Sequence, residues 1–85
     1  MKDLKINNSS ENILTVIVEP WAEEISINPK SLLRLQVESN ESGLCEITYQ
    51  ESERIIVWFW RGCTLIAHID EQKLDMPSLL IRTVF

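Results

Sequence analysis

Few residues in this 85-residue chain are of the types that carry chemistry: one His, two Cys and three Trp, set among 13 acidic and 8 basic side chains. His68 and Asp70 stand two apart on an extended segment and so share a face, where a carboxylate can orient a neutral imidazole for proton transfer or ligation. Nucleophilic catalysis would also need a Ser or Cys held against that imidazole and an oxyanion hole. Cys63 and Thr64 are near only in sequence, and no glycine-rich turn stands before a helix. Structural zinc needs four Cys or His ligands, more than this chain has. Gly43 and Gly62 stand apart, so there is no phosphate loop and no dinucleotide fingerprint. The expectation is a chain with no cofactor, no metal and no catalytic residues; a small enzyme around His68 is the third of three readings.

The first two readings rest on the tryptophans. In residues 55–60, Ile56, Trp58 and Trp60 fall on one face of a strand and Ile55, Val57 and Phe59 on the other. One face meets the core; the second needs cover from the terminal run 79–85, a loop, a second subunit or a ligand. If that face is open, Trp58 and Trp60 suit a protein interface, where Trp is enriched among the residues that dominate binding. Stacking on a sugar ring is the alternative. It wants polar side chains beside the indoles, which Arg61, Thr64 and His68 supply if 55–60 and 64–69 form a hairpin. A second candidate is the string Glu19-Pro20-Trp21-Ala22-Glu23-Glu24, a rigid turn that presents an indole beside the carboxylates of Glu19, Glu23 and Glu24. The competing reading is that Trp21 plugs one end of the core while Pro20 fixes the corner.

This string, with Val18 before it and a strand, a proline turn and another Leu-rich strand after it, resembles small bacterial proteins of unknown function that carry an EPW-type motif after their first long strand. The resemblance spans residues 13–37. It implies an all-β fold and a bacterial origin, and no activity.

The elements that must position these residues are short apolar runs separated by turn chemistry, the pattern of a sandwich or barrel. Residues 4–7 are an edge strand or a loose tail. Residues 13–18 are rich in β-branched side chains and end at Glu19-Pro20; residues 24–27 alternate before Asn28-Pro29-Lys30-Ser31, a type I turn with proline at its second position. Leu33, Leu35 and Val37 alternate with polar residues, as do Cys45, Ile47 and Tyr49, so both segments read as half-buried strands. Residues 50–54 form a polar hairpin connection into the fully apolar run 55–60, the centre of the fold. Arg61-Gly62 reads as a tight turn before a strand over 64–69, residues 71–77 as one helical turn, and 79–85 as a docked tail that covers a sheet edge. Short connections predict a single antiparallel β-sandwich or partly open barrel of six or seven strands, with meander and Greek-key orders both open.

Composition narrows the partners. A formal net charge of −5 and a pI near 4.7 argue against nucleic acid, whose non-specific binding rests on Lys and Arg. No segment reaches the apolar length of a membrane span or secretory leader, which predicts a cytoplasmic protein with Cys45 and Cys63 reduced. The 45% hydrophobic content supports one dense core in one domain, residues 1–85. The resulting expectation is a non-catalytic interaction domain of inhibitor, immunity or accessory-subunit type. It would bind another protein or its own copy through Trp58 and Trp60, the Glu19–Glu24 corner, or both. A small-ligand or carbohydrate module is the alternative.

Overall fold

In the computed structural model, which describes residues 2–51 and 53–84, alternating apolar residues form two four-stranded sheets packed face to face. The strands are β1 (Lys2–Asn7), β2 (Leu14–Glu19), β3 (Glu23–Ile27), β4 (Leu32–Ser39), β5 (Glu46–Glu51), β6 (Arg54–Trp58), β7 (Cys63–Ile69) and β8 (Gln72–Lys73). One sheet has the order β1-β4-β7-β8 and the other β3-β2-β6-β5. Their inner faces supply the core: Leu33, Leu35, Val37, Leu65 and Ala67 from the first sheet meet Val16, Val18, Ile25, Ile27, Ile55 and Val57 from the second. The all-β sandwich predicted from alternation is therefore observed, with β1 as a true edge strand. No helix among the described residues is long and apolar enough to cross a membrane.

Four details depart from expectation, each for a local reason. The sheets are not wholly antiparallel: β2 runs parallel to β6, with Val16 beside Ile55 and Val18 beside Val57. The short connections concealed this because β2 and β6 are not consecutive. Between them the chain makes β3, visits the other sheet as β4, and returns as β5, a crossover long enough for parallel pairing. Next, 55–60 and 64–69 do not form a hairpin. Strand β6 stops at Trp58, and the following residues carry the chain into the other sheet through Gly62, at φ 88°. A Cβ on Gly62 would meet only the movable tip of the Asn40 side chain, so it is the dihedral that calls for glycine.

The turn at Asn28–Ser31 is type II, not type I: Ser31 N–H donates to Asn28 O at 3.1 Å, and Lys30 takes φ 68° at the third position. Buried Asn8 fixes it from outside. The Asn8 carbonyl accepts from Lys30 N–H at 2.7 Å, and Asn8 Nδ2 donates to Ile27 O and Asn12 O. Finally, 71–77 is not a helical turn. Asp70 and Glu71, at φ 48° and 67°, make a two-residue reversal that pairs Ile69 with Gln72, the left-handed geometry of a type I′ hairpin, and a short 3-10 helix follows at Pro77–Leu80.

The tail docks as expected, by different residues. Leu79 enters the core, and buried Thr83 extends the free edge of β7: Gly62 N–H donates to Thr83 O, Thr83 N–H to Cys63 O, and Thr83 Oγ1 both accepts from Cys63 N–H and donates to Trp60 O. Ile81 and Val84 remain exposed, and Phe85 lies outside the described residues, as does Ser52 in the 50–54 connection.

Asp70 turns back onto the start of β4, where its carboxylate accepts from Leu32 N–H at 2.9 Å and Ser31 Oγ at 2.7 Å. These bonds, the backbone one first, hold its carboxyl below the usual range. A depressed folded value means that the stabilisation is complete above the unfolded pKa and is lost as pH falls through the folded one. The thermal midpoint of the wild type is therefore expected to fall more steeply below about pH 4 than that of Asp70→Asn, followed by circular dichroism; superimposable slopes for the two proteins would refute the clamp.

Candidate protein-binding face

The three tryptophans have three environments, set by where their strands end. Trp21 follows the cis Glu19-Pro20 bond in a turn completed by Ala22 at φ 60°. The turn tips the indole inward, 6.0 Å from the Phe59 ring, and Trp21 Nε1 donates to Ile81 O at 2.8 Å. Trp21 thus plugs one end of the core and ties down the tail, so it is not displayed beside the carboxylates. Trp60 lies beyond the end of β6, and the period of two that would align it with Trp58 no longer applies. Its Nε1 donates to Ser39 Oγ and Glu41 O, both at 2.9 Å, and Lys2 Nζ lies 5.6 Å from its ring centroid. Trp60 closes the end of the sandwich against β4, so the expected two-indole platform is not formed.

Trp58 remains on the outer face of the β3-β2-β6-β5 sheet, 42% exposed, with no hydrogen bond to its indole among the described residues. The described part of the C-terminal run, 79–84, docks on the β7 edge and leaves this face uncovered, where the expectation had 79–85 seal it. Register lays Glu19, Trp58 and Glu46 side by side across β2, β6 and β5, and lays Glu24, Ile17, Ile56 and Thr48 in a second row across all four strands. Neighbouring strands are about 5 Å apart, so each row is a continuous strip of side chains. The centre, made of Ile17, Ile56 and Trp58, is apolar; the rim is acidic. Glu24 is paired with Arg54 at 3.9 Å, and Glu19 and Glu46 have no cationic partner among the described residues. Glu19 Oε1 is shielded from solvent and accepts no hydrogen bond. Glu23, opposite Val18 in the register, belongs to the other side of β3, so the Glu19–Glu24 string is divided between faces.

A second feature lies along the side where β1 and the segment entering β5 face each other. Strand β5 was expected to be half-buried, yet as the outermost strand of its sheet it is exposed along its length, with Ile47 at 49% and Tyr49 at 74%. A cleft of about 180 Å³ opens there, lined by Leu4, Val37, Leu44, Cys45, Phe59 and Trp60. Pockets for organic ligands are typically about 300 Å³ or more, so this cleft is small for one.

Among the described residues, His68 is bonded to neither a nucleophile nor a carboxylate. Its cross-strand neighbours are Arg34 and Lys73, its Nδ1 is shielded and unbonded, and Asp70 is committed to β4. Cys63 is buried in the core, where burial pushes its thiol above the usual range, and Cys45 is also a free thiol. Since β7 belongs to the opposite sheet, Thr64 and His68 do not flank Trp58, whose cross-strand neighbours are Glu19 and Glu46.

Sequence reasoning found Trp58, Ile56, Glu19 and Glu24 but missed Glu46 and Ile17 as members of this face. Alternation puts Glu46 on the solvent side of its strand, and only the register puts it beside Trp58. Comparison with known proteins returns no match to any family model, curated protein or solved structure.

Gly43 is where the Trp60 ring rests: a Cβ there would lie 2.1 Å from Trp60 Cγ. Gly43→Ala is expected to destabilise the fold by about 1–3 kcal/mol in urea unfolding through overpacking at this end of the core. Trp58→Ala, which removes an exposed ring, should cost much less.

Proposed function

We propose that this protein is a non-catalytic protein-binding domain, of inhibitor, immunity or accessory-subunit type, and that its binding face is the outer side of the β3-β2-β6-β5 sheet centred on Trp58. The observation that supports this reading is a large indole left open on a sheet face, continued by the aliphatic Ile56 and Ile17 and flanked by the carboxylates of Glu19 and Glu46. That is the anatomy of a protein interface, with an apolar centre and a polar border. The other two indoles are satisfied by carbonyl or hydroxyl acceptors within the chain, so the exposure of Trp58 is specific to its position.

Charge favours a foreign partner over a second copy. A two-fold contact through this face would set the acidic rim of one chain against the same rim of the other, and like charges brought together oppose association. A basic surface would be attracted instead, with complementary charge raising the encounter rate.

The test is affinity capture with the immobilised wild type, Trp58→Ala and His68→Ala, followed by calorimetry on whichever purified protein is retained. The expected result is one protein held by the wild type and by His68→Ala, with affinity reduced about 30-fold by Trp58→Ala, the loss typical of a dominant interface residue. Equal retention by Trp58→Ala would refute the assignment of the face.

A further inference from the structure

We infer that the Glu19–Trp58–Glu46 row recognises an arginine side chain of the protein partner, an inference that rests on the reading of this face as protein-binding and names what it binds. The row places an open aromatic ring between two carboxylates, one on each neighbouring strand. A guanidinium is planar and stacks on an indole, while its N–H groups, spread around its edge, reach sideways to carboxylates on either side. An ammonium is a compact charge that can sit over the ring or against one carboxylate and does not span the row.

The chain offers no guanidinium of its own for this position. Arg34 is engaged by Asp3 and Glu71, Arg54 by Glu24, Arg61 by Glu41 and Arg82 by Glu38. Glu19, with one oxygen shielded and unbonded, is partly stripped of water, and a carboxylate in that state gains more from an arriving cation than one fully hydrated. Ile17 and Ile56 continue the apolar strip beside the ring, where the methylenes of an arginine or a neighbouring apolar residue of the partner would lie. The net charge of −5 draws such a segment in from solution.

The experiment uses the full chain and three short peptides, Gly-Ser-X-Ser-Gly with blocked termini, in which X is arginine, lysine or citrulline, the last being the uncharged near-isostere of arginine. The indole N–H resonances are followed by NMR during titration. Those of Trp21 and Trp60, whose N–H groups are bonded within the protein, serve as internal references. The expected result is a saturable shift of the Trp58 resonance with the arginine peptide and none with citrulline. Lysine should bind about threefold weaker or worse, and Glu46→Gln should weaken arginine binding by about threefold or more. Glu46 is exposed on an edge strand, so Glu46→Gln tests the row without endangering the fold; Glu19→Gln is the second variant. Equal binding of lysine and arginine, indifference to both carboxylate substitutions, or no shift with any peptide would overturn the arginine assignment. Trp58-dependent capture of a protein that survives such a result would keep the interface and discard the arginine, so the two failures are distinguishable.

Discussion

The parallel pairing of β2 with β6 is the constraint from which the rest of the architecture follows. It sets Val16 and Val18 against Ile55 and Val57 on the core side, four buried side chains, each of whose burial stabilises the fold by about 1.5–3 kcal/mol. Because the two strands point the same way, the chain between them cannot be a tight turn. It must leave the sheet and come back, and in doing so it makes β4, the interior strand on which β1 and β7 assemble. The same pairing acts on the outer surface. It brings Glu19 beside Trp58 and Ile17 beside Ile56, residues that no local feature of the sequence joins. Core and candidate binding face are thus two sides of one strand contact.

Where one face of a strand is buried on both flanks, alternation in the sequence was a sufficient guide. Leu33, Leu35 and Val37 in β4, and Leu65 and Ala67 in β7, lie where a period of two puts them. The same pattern in β5 misled, because alternation reports which side a residue faces and not whether anything lies opposite; Ile47 and Tyr49 face the inner side of a strand at the margin of the sandwich. Turns were legible where glycine or proline marked them. The reversal at Asp70-Glu71 was invisible because two acidic residues adopt positive φ there, and the hydrogen bonds that hold Asp70 come from Ser31 and Leu32, far away in sequence. The loop after β1 is organised by Asn8, whose polar contacts with Ile27 and Lys30 are likewise long-range.

The candidate site was partly legible for the same reason. Trp58 could be chosen from an apolar run with one face too many, and Glu19 from its place beside Pro20. The division of labour among the indoles could not, since it depends on β6 ending at Trp58 and not at Trp60. Two residues of strand decide whether an aromatic pair forms a platform or is split between the surface and the end of the core.

Three of the pairings join strands adjacent in sequence: β2 with β3, β5 with β6, and β7 with β8. The other three, β1 with β4, β2 with β6 and β4 with β7, close long loops. Loop closure must precede the reward of such contacts, and domains dominated by them fold in about milliseconds to seconds, well behind helical bundles of equal size. During that interval β6, with its run of Ile55, Ile56, Val57 and Trp58, has a hairpin partner in β5 but must wait for β2 on its other edge. An apolar, β-branched and aromatic segment with an open edge is prone to pair with another chain. The crossover that builds the sandwich therefore also fixes its moment of greatest exposure to misassembly, and low chain concentration is the condition that favours clean formation of this topology.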